Sequence, residues 1–148
     1  MPPRFRYCLD PLFFACLAAY WLNRIVIKPH THATFPHAYL NDLICLPFWV
    51  PIMLALQRAA RLRSHDAPPL PVEILIPLVL WSWAFEVWLP GSSLGRNWCT
   101  ADPWDIVCYS LGALGAGVFW RWWYTSARSS ETPSPAAASA APQPRLTS

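Results

Sequence analysis

The sequence predicts an all-α, polytopic membrane protein: a four-helix transmembrane bundle followed by a disordered C-terminal tail. Charged residues make up 13% of the 148 positions and hydrophobic residues 55%, whereas a soluble domain carries about 25% charged residues. The apolar residues gather into four runs, and most charged residues lie near the ends of these runs. The length allows a single domain.

The four predicted spans are about residues 9–27, 43–56, 72–89 and 104–124. Crossing a bilayer takes about 17 to 25 predominantly apolar residues. The second run is short and contains Pro47 and Pro51, which membrane helices tolerate when neighbouring groups satisfy the freed carbonyls. The first run follows Arg4 and Arg6 as a signal peptide would. Its apolar pattern continues to Ile27, so we expect a retained helix.

The distribution of Lys and Arg predicts that both termini are cytoplasmic, because basic residues concentrate on the inner side of a membrane. The predicted inner side holds Arg4, Arg6, Arg58, Arg61, Arg63, Arg121, Arg128 and Arg145, and the predicted outer side holds Arg24, Lys28 and Arg96. The predicted interfacial tryptophans are Trp88, Trp98 and Trp104 outside and Trp120, Trp122 and Trp123 inside. We expect no nucleic-acid partner, because the basic residues form no continuous stripe.

Two polar segments complete this topology. Residues 58–71 form a basic, Pro-rich inner loop that we expect near anionic headgroups. Residues 125–148 are rich in Ser, Pro and Ala and have no apolar period, which predicts a disordered cytoplasmic tail.

Ionisable residues at the predicted outer ends of the spans are candidates for a ligand-binding site. The candidates are Asp42, Glu86, Arg96, Asp102, Asp105 and Tyr109. A structural role stays open for the acids, since Asp102 before Pro103 is typical of a helix cap and Asp42 opens a span. Glu86 needs a partner, for which Arg24, Lys28 and Arg96 are available.

Small residues in the fourth span predict close helix packing, through Gly112, Ala116 and Gly117. Such packing would turn the face with Asp105 and Tyr109 into the bundle. The histidines His30, His32 and His37 are weak metal-ligand candidates, because their spacing fits no defined zinc motif. We expect no cofactor, and the sequence contains no nucleophile-elbow, phosphate-loop or metalloprotease motif.

The stretch from Glu86 to Gly115 resembles the VanZ-like family of small bacterial membrane proteins. The family pattern is a Glu closing one helix, a loop often carrying Arg, an Asp opening the next helix and a Gly further on. The matching positions are Glu86, Arg96, Asp105 and Gly112. Tyr109 stands where the family has Asn, and Leu89 where a Gln often follows the Glu.

The resemblance implies a protein of the bacterial inner membrane, in a family linked to resistance to teicoplanin-type antibiotics. We favour a non-enzymatic protein whose outer polar site engages a lipid headgroup, a wall precursor or a partner protein. A membrane-embedded enzyme, with Glu86 or Asp105 as general base on a lipid-linked substrate, and a small transporter subunit are alternatives. Beside the bilayer, a lipid-linked or membrane-protein partner is expected, and short helices make a homo-oligomer plausible.

Overall fold

The computed structural model describes residues 4–31, 33–93 and 102–130, except for the side chains of Thr34 and of 127–130. The described part is helical and contains no strand, which confirms the all-α prediction. The four long helices are α1 (Pro11–His30), α2 (Leu40–Ala59), α3 (Pro71–Gly91) and α4 (Pro103–Ser130). A 3-10 turn, Tyr7–Leu9, precedes α1, and a short helix, Thr34–Ala38, precedes α2.

Three stretches are long and apolar enough to cross a membrane: Pro11–His30, Phe35–Ala59 and Pro71–Gly91. α4 is longer, but it is not among them within the described residues, because Gly, Ser, Tyr and Trp residues dilute its aliphatic content. α4 also continues to Ser130, past the predicted boundary at Tyr124. Ala and Arg favour a helix, so the first residues of the predicted tail extend α4. Residues 131–148 of that tail lie outside the described residues.

α1 and α4 each begin at a proline that follows a capping acid, for a local reason. Asp10 precedes Pro11, and its side chain accepts a hydrogen bond from the Leu12 amide at 2.9 Å. Asp102 precedes Pro103 and accepts from the Trp104 amide at 3.0 Å. A side-chain oxygen satisfies a free amide of the first turn, and proline there sacrifices no hydrogen bond. The caps thereby fix where α1 and α4 start.

α2 lies at the centre of the bundle and packs against all three other long helices. Its largest interface is with α4, where Leu46, Val50 and Leu54 form one core with Ala113 and Trp120. In contrast, many large apolar side chains of α1 and α3 are exposed. An apolar outer surface of this kind suits contact with lipid.

α1 and α3 share an irregularity near their carboxyl ends. Each contains a π-helical turn, Asn23–Ile27 in α1 and Ala84–Trp88 in α3, followed two residues later by Pro29 or Pro90. In both, the amide just before the proline donates to the carbonyl five residues back. Proline has no amide hydrogen and crowds the carbonyl four residues earlier, so a wider turn precedes it. Such turns occur frequently at functional sites.

Candidate functional site

Four carboxylates lie at one end of the bundle. Asp42 is in the first turn of α2, Glu86 is in the π-helical turn of α3, and Asp102 and Asp105 open α4. α2 and α4 begin at the end of the bundle where α3 finishes, so three helices supply these acids to one place. We call Asp42, Glu86, Asp102 and Asp105 the acidic cluster.

Hydrogen bonds through Asp102 tie three segments of the acidic cluster together. Glu86 Oε2 accepts from the backbone amide of Asp102 at 2.7 Å. Asp102 Oδ2 accepts from the Tyr39 hydroxyl at 3.3 Å, while its Oδ1 caps α4. The predicted capping role of Asp102 therefore coexists with contacts to the end of α3 and to the segment before α2.

Asp105 and Asp42 complete the acidic cluster electrostatically. Asp105 interacts with the charges of Asp42, Glu86 and Asp102. Asp42 interacts with the Tyr109 hydroxyl and with the charges of Glu86 and Lys28. Like charges held together disfavour one another, so such a site gains most from a cation or from groups that donate hydrogen bonds. Chemically, it suits an ammonium group better than a phosphate.

The other predicted site residues of α4 lie deeper in the bundle. Tyr109 is only 4% exposed and belongs to the core. Its hydroxyl therefore interacts with Asp42 from the interior of the bundle. A Cβ atom at Gly112 would overlap the carbonyl oxygen of Leu43. Ala116 is buried beside α2, and a Cβ atom at Gly117 would lie 3.4 Å from Ile74 Cδ1 of α3.

The remaining predicted site residues are Arg96 and the three histidines. Arg96 and His32 lie outside the described residues. His30 Nδ1 donates to the Val26 carbonyl at 2.8 Å and His37 Nε2 to the Thr31 carbonyl at 2.6 Å, since a carbonyl can only accept. Among the described residues, no three His, Cys, Asp or Glu side chains are placed so that they could hold a metal ion.

A second polar site, which the sequence analysis missed, lies at the opposite end of the bundle around Asp10. This carboxylate is fully buried. Its Oδ1 accepts from Trp120 Nε1 at 3.0 Å, and its Oδ2 accepts from the Tyr124 hydroxyl at 2.7 Å. Together with the Leu12 amide, these donors satisfy the charge and fasten the start of α1 to the last turns of α4.

Arg63, in the loop between α2 and α3, is the second buried charge at this end. It pairs with both oxygens of Glu73, at 2.8 Å from Nε and 3.1 Å from an amino nitrogen. It also donates to the Tyr7 hydroxyl at 2.9 Å and to the Ala67 carbonyl at 2.7 Å. A two-point arginine–carboxylate pair fixes orientation as well as charge, so Arg63 orders the loop.

Asp66 joins the N-terminal segment to the same loop. Its carboxylate pairs with Arg4 at 2.9 Å and with Arg58 at 3.0 Å, and accepts from the Tyr7 hydroxyl at 2.8 Å. Hydrogen bonds from Arg4 and Tyr7, with the nearby Arg58 charge, lower the pKa of Asp66 from its ordinary value. We call the segment from Arg4 to Asp10, docked on residues 58–73, the N-terminal clasp.

The tryptophans predicted to lie at the inner interface differ in their exposure. Trp120, predicted to lie at the inner interface, is only 1% exposed, whereas Trp122 is 61% exposed. The indole of Trp120 turns inward because its N–H serves Asp10. The sequence does contain one signal for the clasp, because Asp10 directly precedes Pro11 at the start of an apolar run. The residues around Asp10 do not indicate that its partners are Trp120 and Tyr124.

Comparisons with known proteins identify no relative. No family model matches the chain, and neither a curated protein nor a solved structure is similar to it. The two polar ends of the bundle are therefore the features from which a function can be inferred.

Proposed function

We propose that this chain is a non-enzymatic, four-span protein of the bacterial inner membrane whose acidic cluster, at the outer face, binds an ammonium-bearing ligand. The ligand class is a lipid headgroup, a wall precursor or a partner protein that presents such a group. The observation that carries the proposal is the convergence of four carboxylates from α2, α3 and α4.

The charges at the two ends of the bundle support the proposed placement of this site at the outer face. Arg4, Arg6, Arg58, Arg61 and Arg121 are exposed at the end that carries the clasp. Basic residues favour the cytoplasmic side, which leaves the acidic cluster outside and both termini inside. α4 is the fourth span in this arrangement, with α2 and α3 covering it.

The resemblance to VanZ-like proteins supports the proposal, since two of the positions that carry it, Glu86 and Asp105, belong to the acidic cluster. Glu86 is also held in place, because its hydrogen bond to the Asp102 amide fixes one oxygen at 2.7 Å. A fixed carboxylate loses little conformational freedom when a ligand binds. We therefore expect binding to depend on the charge of Glu86 more than on its size.

The test is native mass spectrometry of the protein in mild detergent with phosphatidylethanolamine or phosphatidylcholine added. An ethanolamine ammonium donates hydrogen bonds, whereas a choline headgroup cannot. We expect the wild type to prefer phosphatidylethanolamine. Glu86→Gln and Asp105→Asn should each weaken that preference about ten-fold or more, because a charge-assisted hydrogen bond is worth roughly 1.5–3 kcal/mol.

Both substitutions keep an acceptor oxygen, so they test charge without removing the hydrogen bond to Asp102. Glu131→Gln, an equal change of charge in the predicted tail, is the matched control and should behave as the wild type. If all four folded proteins bind the two lipids equally, the proposal of an ammonium site is wrong. Turnover of an added lipid would instead favour the enzymatic alternative.

A further inference from the structure

A basic cleft lies beside the N-terminal clasp, at the end of the bundle opposite the acidic cluster. It has a volume of about 510 Å³ and is lined by Arg4, Phe5, Arg6, Tyr7, Leu9 and Arg58, together with Asp66. Three arginines therefore line the cleft beside one carboxylate, and the cleft keeps a net positive charge.

Asp66 organises two of the three arginines without consuming their hydrogen-bonding capacity. It pairs with Arg4 at 2.9 Å and with Arg58 at 3.0 Å. A guanidinium has five N–H donors, and the side chain of Arg4 remains 82% exposed. Within the described residues, Arg6 lies in no ion pair. The cleft therefore offers fixed, unsaturated donors that suit a phosphate.

One border of this cleft is apolar. Leu9, which lines it, is 70% exposed. A large exposed leucine beside arginines is costly in water, but it matches a phospholipid, whose phosphate lies next to its acyl chains. A soluble phosphate ester would leave Leu9 exposed.

We propose that the cleft between Arg4, Arg6 and Arg58 binds the phosphate of an anionic phospholipid, with Leu9 against an acyl chain. The bound lipid would bridge the N-terminal clasp and the end of α2. The lipid phosphate would thus bind the same arginines, Arg4 and Arg58, that Asp66 already holds together. This site is separate from the acidic cluster and does not depend on what that cluster binds.

The test is native mass spectrometry of the full chain in mild detergent, titrated with phosphatidylglycerol, phosphatidylcholine or soluble glycerol phosphate. We expect phosphatidylglycerol to bind and to raise the thermal midpoint, with little effect of the other two. Arg6→Gln should weaken binding about ten-fold or more, because it removes a charge-assisted hydrogen bond to the phosphate. Arg4→Gln with Arg6→Gln should weaken it further.

Arg61→Gln is the matched control, because Arg61 is exposed at the same end but does not line the cleft. Arg6→Gln is expected to leave the fold intact, because only the backbone amide of Arg6 bonds to Tyr124. Equal weakening by Arg61→Gln and Arg6→Gln would show diffuse attraction and overturn the proposal. Equal binding of phosphatidylcholine, or of glycerol phosphate, would overturn it as well.

Discussion

At the scale of single residues, the carboxylate of Asp10 is tightly constrained. A fully buried charge is tolerated only when hydrogen bonds replace its hydration, and Asp10 receives three. The donors at Trp120 and Tyr124 are four residues apart on α4, which places both on one helix face. The clasp therefore depends on one acid and two aromatic side chains.

Removing one hydroxyl tests this dependence. We expect Tyr124→Phe to lower the free energy of unfolding by about 1–3 kcal/mol, because Asp10 would lose a buried donor. Tyr20→Phe deletes the same group from an exposed ring on α1 and should change little. Denaturant or thermal unfolding in detergent measures both. Equal stability of the two variants would contradict the role assigned to Asp10.

Asp66 makes the clasp sensitive to acid. Its folded pKa is lowered from the ordinary value of 3.8, so its contribution is complete above that pH and is lost as pH falls through the lower folded value. The stability difference between wild type and Asp66→Asn should therefore stay constant from neutral pH down to about pH 4 and shrink as the pH falls further. Thermal midpoints of both proteins across that range measure it. A difference independent of pH would contradict the expectation.

At the scale of helices, α4 approaches α2 closely at Gly112. No side chain fits there, because a Cβ atom would overlap the carbonyl oxygen of Leu43. Gly115, three residues further along α4, has open space around it. The two glycines therefore lie in the same helix but differ in the space available for a side chain.

The same substitution at these two positions should have opposite effects. Gly112→Ala should destabilise the bundle by roughly 1–3 kcal/mol, the usual cost of overpacking. Gly115→Ala should be neutral or stabilising by up to about 1 kcal/mol, because alanine favours a helix. Unfolding in detergent and the acidic cluster's lipid binding report the result. Equal loss at both positions would contradict the close approach.

The helices themselves were predictable because their signal is local. The spans followed from runs of apolar residues, and the start of α4 from Asp102 beside Pro103. The clasp was not predictable in this way, because Asp10 meets partners that are 110 and 114 residues away in sequence. The π-helical turns were not predicted. Pro29 and Pro90 indicate that the helical hydrogen bonding is interrupted nearby, but they do not specify a π-helical turn.

At the scale of the whole molecule, charge divides between the two ends. Acids dominate where α2 and α4 begin, and arginines dominate around the clasp. In the orientation that we propose, the arginine-rich end lies at the inner membrane surface, which is anionic. Both proposed sites agree with that orientation, one suited to cations outside and one to phosphate inside.

This orientation can be measured without reference to either ligand. We expect a C-terminal fusion to green fluorescent protein to fluoresce and a C-terminal fusion to alkaline phosphatase to be inactive, since α4 should return the chain to the cytoplasm. A phosphatase fused after Gly91, where α3 ends, is the matched control and should be active. The reverse pattern would contradict the assignment of both sites.

The buried bonds of Asp10 also govern the order in which the molecule can be completed. α1 emerges from the ribosome first. Asp10 therefore reaches the membrane before its hydrogen-bond donors Trp120 and Tyr124 have been synthesised. Until α4 arrives, this carboxylate must stay hydrated, and the start of α1 must remain at the water boundary. Closure of the clasp is therefore a late event in biogenesis. A chain that ends before α4 would leave the Asp10 carboxylate without these two hydrogen-bond donors, and cellular proteases could recognise it as incompletely folded.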